Sequence, residues 1–125
     1  MKLHLANSAG QNVITAYGSG FVAVNQTRYE HSLIVLPQQL IEDWSPAGFD
    51  ALSGADFERI ARLEPELLLL GTGPTLRFPR PPLARALIDA GIGMEVMDTG
   101  AACRTFNILA AEGRRVAAAL LLERS

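Results

Sequence analysis

An α/β fold with an antiparallel β-meander at its N-terminal end is what this chain predicts, and three observations carry that reading. Short runs rich in branched and aromatic residues, broken by glycine- and asparagine-bearing turns, fill the first third. From Ser53 onward, apolar strand patterns alternate with helical ones. Leu67 to Leu70 is apolar without interruption, as a strand covered on both faces must be.

In the first third, Val13 to Tyr17, Phe21 to Val24 and Ser32 to Leu36 are the strands of the meander, with Gly18-Ser19-Gly20 and Asn25 to Tyr29 as punctuation. Pro37 cannot donate to a ladder and closes the third run. The stretch through Trp44-Ser45-Pro46 to Phe49 is a connection pinned to the body of the domain by its two aromatic residues. Ser53 with Asp56 has the spacing of a capping box; Phe57, Ile60 and Ala61 share one face of the short helix it opens, and Pro65 marks its end. After the strand Leu67 to Leu70, Pro81-Pro82 opens a helix in which Leu83 stacks with Leu87 and Ala84 with Ile88, before Gly91 caps it. Ile92 to Met97 is the next strand, and a helix runs from about Gly100 to Ala111. Two buried strands joined through a helix lie parallel with a right-handed crossover, so Leu67 to Met97 is a βαβ unit. Val116 to Leu122 also suits a buried helix by propensity, but its brevity and the strand-helix-strand rhythm make it a last strand.

At 125 residues the chain fits one domain, and a domain of this size buries roughly two-thirds of the surface its unfolded chain exposes. With 49% hydrophobic and 19% charged residues it is not a disordered chain, and a formal net charge of -2 gives no long-range attraction to nucleic acid or an anionic membrane. Cys103 is the only cysteine, so there is no internal disulfide and no cysteine-based zinc site. The stretch MKLHLANSAGQN lacks the apolar run of a signal peptide, and no segment reaches the roughly 18 to 20 apolar residues of a membrane span. A cytoplasmic location is the expectation.

Ligands of open α/β sheets bind outside the carboxyl ends of the parallel strands. Here Gly71-Thr72-Gly73-Pro74 follows one strand and Asp98-Thr99-Gly100 the next, so both loops belong to one edge of the sheet. The candidate site is the crevice between them, with Gly71, Thr72, Gly73, Asp98, Thr99, Cys103, Arg104, Thr105 and Asn107 as its residues. A helix start near Thr99 offers free N–H groups and the positive end of a dipole to an anion, with Arg104 as a bidentate partner; the same residues also read as a plain helix cap. A dinucleotide fingerprint fails, because a third glycine is missing and a long loop separates Gly71-Thr72-Gly73 from the following helix. Near a helix start Cys103 is a potential thiolate, but it borders the apolar face of Ala102, Phe106, Leu109 and Ala110, and both histidines, His4 and His31, are in the meander region. It is expected to be dispensable for chemistry. Arg77-Phe78-Pro79-Arg80 reads as an exposed loop with the composition of a partner contact or of plain solvated surface, and Arg114-Arg115 as a complement to the preceding helix end. No catalytic residue, cofactor or metal is assigned.

The GTG at 71 to 73, MDTGAACRTFNIL at 97 to 109 and EGRRVAAALL at 112 to 121 resemble a family of small single-domain proteins. It includes mitochondrial complex I (NADH:ubiquinone oxidoreductase) assembly factor 3 and the adipogenesis-associated MTH-type domain protein. The resemblance extends from Ile14-Thr15-Ala16-Tyr17-Gly18 through Ser32 to Pro37 and Trp44 to the end of the chain. It implies a three-layer α/β fold: a mixed central β-sheet with helices on both faces, plus the N-terminal antiparallel meander. It also implies a non-catalytic protein-interaction or assembly role with an unidentified protein partner, because the family brings no agreed catalytic residues. The alternative expectation is a small-molecule or enzyme site for an anion in the 71–73 and 98–107 crevice. A third is a homo-oligomer.

Overall fold

The computed structural model describes residues 10–44 and 46–123; His4 and Ser45 fall outside them. Strands β1 (Ile14–Gly18), β2 (Phe21–Val24) and β3 (Thr27–Tyr29) form a three-stranded antiparallel sheet. β4 (Leu33–Leu36), β5 (Gln39–Ile41), β6 (Leu67–Gly71), β7 (Gly93–Met97) and β8 (Val116–Leu120) form a five-stranded mixed sheet in the order β5-β4-β8-β6-β7. Helices α1 (Gly54–Arg62), α2 (Arg85–Asp89) and α3 (Thr99–Ala111) cover it.

Side-chain alternation sorts the sheet into two apolar layers. Leu68, Leu70, Ala117 and Ala119 face α1 and α2, packing with Phe57, Ile60 and Leu87. Leu69, Val116, Ala118 and Leu120 face the other way, against Phe106 and Ala102 of α3 and Ile14 and Val22 of the small sheet. Helices therefore lie on both faces of a mixed sheet, the three-layer arrangement the family resemblance implied. Alanine dominates β8 because this central strand is fully buried under both layers.

The meander differs from expectation in its third strand, which is Thr27–Tyr29 and not Ser32 to Leu36. Asn25 and Gln26 both adopt positive φ, of 51° and 72°, and Val24 pairs with Thr27, so these two residues form a tight hairpin turn within what reads as a loop. The side chain of Asn25 stiffens it, Oδ1 accepting from Val13 N–H at 3.0 Å. Leu33–Leu36 joins the main sheet beside β8. Pro37 does end that run, but Leu36 pairs with Gln39 across a second two-residue turn, adding the unforeseen β5.

The capping arrangement at α1 is present, with Ser53 N–H donating to Asp56 Oδ2 at 2.9 Å, and Trp44 is buried beside it. Pro81-Pro82 opens a 3-10 turn over Pro81–Ala84 before the short α2. A three-residue repeat shifts the buried face, so Leu87 and Ala84 are buried while Ile88 is 65% exposed, contrary to the stacking expected for it. β6 is parallel to both β7 and β8, which settles Val116–Leu120 as a strand and sets the ends of all three on one edge. No helix among the described residues is long and apolar enough to cross a membrane.

Candidate functional site

At this edge the two loops meet directly. Thr99 N–H donates to Gly73 C=O at 2.9 Å, and Gly73 N–H donates to Thr99 Oγ1 at 2.8 Å. The Thr99 hydroxyl in turn donates to Leu121 C=O at 3.1 Å, so one buried side chain ties together the chain leaving β6, the start of α3 and the chain leaving β8. Gly73 has φ +97°, which glycine accepts without strain. Gly71 is needed for a different reason: a Cβ there would lie 3.0 Å from Thr99 Cα and 3.2 Å from Ala102 Cβ, because α3 rests on the end of β6.

Thr72 is buried and organises its own loop, its hydroxyl donating to Thr75 C=O at 2.7 Å and accepting from Arg77 N–H at 3.1 Å. Asp98 caps α3, Oδ1 accepting from Ala101 N–H at 2.9 Å. The helix start is thus served by acceptors of the chain itself, the Asp98 carboxylate and the Gly73 carbonyl, in the place where an external anion would sit.

What opens outward from this junction is a groove of about 960 Å³. Gly73-Pro74, Asp98 to Gly100 and Leu121 to Glu123 line one part of it, and the β1–β2 hairpin tip, Tyr17 to Gly20, with Arg28, Glu30 and His31 the other. Arg28 and Glu30 form an exposed ion pair at 2.8 Å. Tyr17 packs so tightly on the start of α3 that a Cβ on Gly100 would lie 2.9 Å from its ring. Arg104 is exposed, and its guanidinium donates to the Tyr17 hydroxyl, joining α3 to the hairpin.

Of the nine residues the sequence singles out, Gly73, Asp98 and Thr99 line the groove, and Arg104 reaches its wall through Tyr17. Thr105 is half-buried on α3. Gly71, Thr72, Cys103 and Asn107 do not line it. Cys103 points into the core, where burial pushes its thiol up to about 12, Arg104 lowering it and Asp98 raising it as smaller influences. A thiol so shifted stays protonated at neutral pH. Asn107 bonds both main-chain groups of Ile14, Oδ1 accepting from N–H at 2.9 Å and Nδ2 donating to C=O at 2.8 Å. The hairpin tip and the Leu121–Glu123 segment were not singled out; Gly18-Ser19-Gly20 reads only as a turn, and the family-like run ending Tyr17-Gly18 is the one signal that marks it. Among the described residues no three His, Cys, Asp or Glu side chains come together as metal ligands would.

The chain is similar to bovine NADH dehydrogenase [ubiquinone] 1 alpha subcomplex assembly factor 3, 36% identical over 110 residues that cover 86% of this chain and 59% of the bovine protein. It thus spans less than two-thirds of that relative's length. A crystal structure of a Bordetella parapertussis protein superposes with TM-score 0.86 at 40% identity, covering 93% of this chain and 99% of that one. The solution structure of a Bordetella pertussis Mth938-like domain gives TM-score 0.83 at 35% identity, covering 98% and 93% respectively. With residues 14–121 matching the family model, the chain belongs to the DUF498/DUF598 family, described as a protein of unknown function.

Proposed function

We propose that this protein is a non-catalytic interaction module of the assembly-factor type, and that the groove fronted by Tyr17, Gly73, Asp98 and Thr99 is a surface on which a protein partner docks. The observation that supports it most is the 36% identity, over 86% of the chain, to a relative named for assembling a respiratory complex. The form of the groove agrees: it is broad and open, walled by main chain, an ion pair and mixed side chains, which suits a protein surface better than a small molecule. A small anion has weaker support, because Asp98 and Glu123 both front the groove and the amides of Thr99, Ala101 and Ala102 at the start of α3 already have acceptors.

Affinity purification from the native cell tests this, with Ser19→Arg as the comparison. Ser19 is at the exposed hairpin tip, so the change fills the groove mouth without touching the core. A protein recovered by the parent chain and lost with Ser19→Arg supports the reading. No specific protein recovered by the parent removes it, and equal recovery by both moves the contact surface elsewhere.

A further inference from the structure

β7 ends the five-stranded sheet: it pairs with β6 on one side, and among the described residues no strand pairs with it on the other. In a parallel ladder, both main-chain groups of one residue face one neighbour and those of the next residue face away. Met97 C=O accepts from Thr72 N–H, on the β6 side. Glu95, two residues earlier, faces β6 as well, which turns the N–H and C=O groups of Met94 and Val96 to the open side. These four groups have no hydrogen-bond partner among the described residues.

Native sheets guard such an edge with charged side chains, lysine above all, or with proline, a bulge, shortness or a covering loop. β5, the opposite end strand, is three residues long. β7 has five, Gly-Met-Glu-Val-Met, in unbroken register with β6, with neither proline nor lysine and with Glu95 as its single charge. Its side chains split by face: Met94 and Val96 pack in the layer beneath α1 and α2, while Glu95 is exposed on the opposite, α3 face. Ile88, 65% exposed, stands on α2, the helix packed against β7, and adds apolar surface on the methionine and valine side.

We propose that a protein partner adds an extended strand antiparallel to β7, with a lysine or arginine opposite Glu95 and apolar residues opposite Met94 and Val96. This rests on the interaction-module reading and gives it a second contact, away from the groove. Added-strand recognition takes its affinity from main-chain hydrogen bonds and its selectivity from alternate side chains. Met94 and Val96 offer four such bonds, and Glu95 supplies the selecting charge. A second copy of this chain is the poorer occupant. The two-fold that brings Met94 against Val96 sets Glu95 opposite its own counterpart, with Cβ atoms roughly 5 Å apart, where like charges oppose pairing.

The test is amide NMR of the full chain titrated with a capped seven-residue peptide, Thr-Thr-Val-Lys-Val-Thr-Thr, and with its Lys-to-Glu counterpart. The expected result is shifts centred on Gly93–Met97, with roughly twofold to fivefold weaker binding of the glutamate peptide. Glu95→Lys reverses that preference. Val96→Pro removes an outward N–H, which an edge strand tolerates, along with the packing of one half-buried valine, and abolishes the shifts; Glu95→Lys keeps the test open if the proline variant fails to fold. No β7 shifts at millimolar peptide, shifts unaffected by Val96→Pro, or concentration-dependent β7 broadening without peptide, which is self-pairing, would each overturn the proposal. The two readings separate in the affinity purification. A partner recovered equally by Val96→Pro ends the edge proposal alone, whereas no partner for the parent chain ends the interaction reading.

Discussion

Asn107→Ala should be among the most destabilising single changes in the molecule, although it removes neither a charge nor a large apolar group. Ile14 is fully buried, and both its main-chain groups turn away from β2 to the Asn107 carboxamide, which acts as one rung of a missing strand. Alanine leaves a donor and an acceptor buried without partners. Each costs about 1–3 kcal/mol, hence about 2–5 kcal/mol together once local rearrangement lets water reach one of them. Against a total stability of about 5–15 kcal/mol this is a large fraction. In urea, a loss of about 3 kcal/mol at a slope of about 1–3 kcal/mol/M moves the unfolding midpoint down by about 1–3 M with the slope unchanged. Asn107→Asp sharpens the test through its sign. Its carboxyl must be protonated to donate to Ile14 C=O, so its folded pKa lies above its unfolded one; the stabilisation is present at low pH and lost as pH rises through the folded value. A midpoint shift under about 0.3 M for Asn107→Ala, equivalent to less than roughly 1 kcal/mol, would refute the reasoning.

Gly71→Ala should cost about 1–3 kcal/mol by chemical denaturation, because the new Cβ meets the Thr99 Cα at 3.0 Å and the backbone of a helix start cannot yield as a long side chain would. Gly54→Ala, at the first position of α1 with nothing within 4 Å, is its control and should be neutral to slightly stabilising. Thr99→Val keeps the shape but strands Gly73 N–H and removes the donor to Leu121 C=O; a loss of about 2 kcal/mol and faster proteolysis of the 72–75 loop are expected. Cys103 should resist iodoacetamide at pH 8 in the folded protein and react at the rate of a free thiol in denaturant. Its thiol pKa rises from 9.0 to about 12 on folding. The unfolded chain therefore ionises first, and the Cys103 contribution to stability, intact below pH 9, declines between pH 9 and about 12; a Cys103→Ala variant showing the same alkaline loss would assign it elsewhere.

The sequence was most legible where one strong local rule acts alone. The run Leu67–Leu70 reads as a doubly covered strand because nothing but burial on both faces suits four leucines, and Asp98-Thr99-Gly100 reads as a helix start from its capping chemistry. It was least legible where a short element borrows its stability from a distant partner. Thr27–Tyr29 has two exposed residues out of three and exists as a strand because Asn25 and Gln26 turn it back onto β2, a turn without the usual glycine. The site divides along the same line. The loop residues Gly73 and Thr99 meet at the strand ends that topology alone defines, while Cys103 and Asn107, one and two turns further along α3, face the core because the helix must also close over β6 and β1. Helical spacing alone does not say which side of α3 the second sheet takes. Tyr17 and the hairpin tip enter the groove only through that same packing.

The place of β8 in the sheet bears on how the protein is made. Val116–Leu120 is the last strand among the described residues yet sits in the middle of the sheet, with Leu33 registering against Leu120 and Leu67 against Val116. Until those residues leave the ribosome, β4 and β6 have no common neighbour, and a nascent chain carries two bare apolar borders that it cannot join to each other. The sheet cannot close before residues 116–120 have emerged, and a ribosome stalled ahead of Val116 holds a product that chaperones must shield rather than a smaller folded protein.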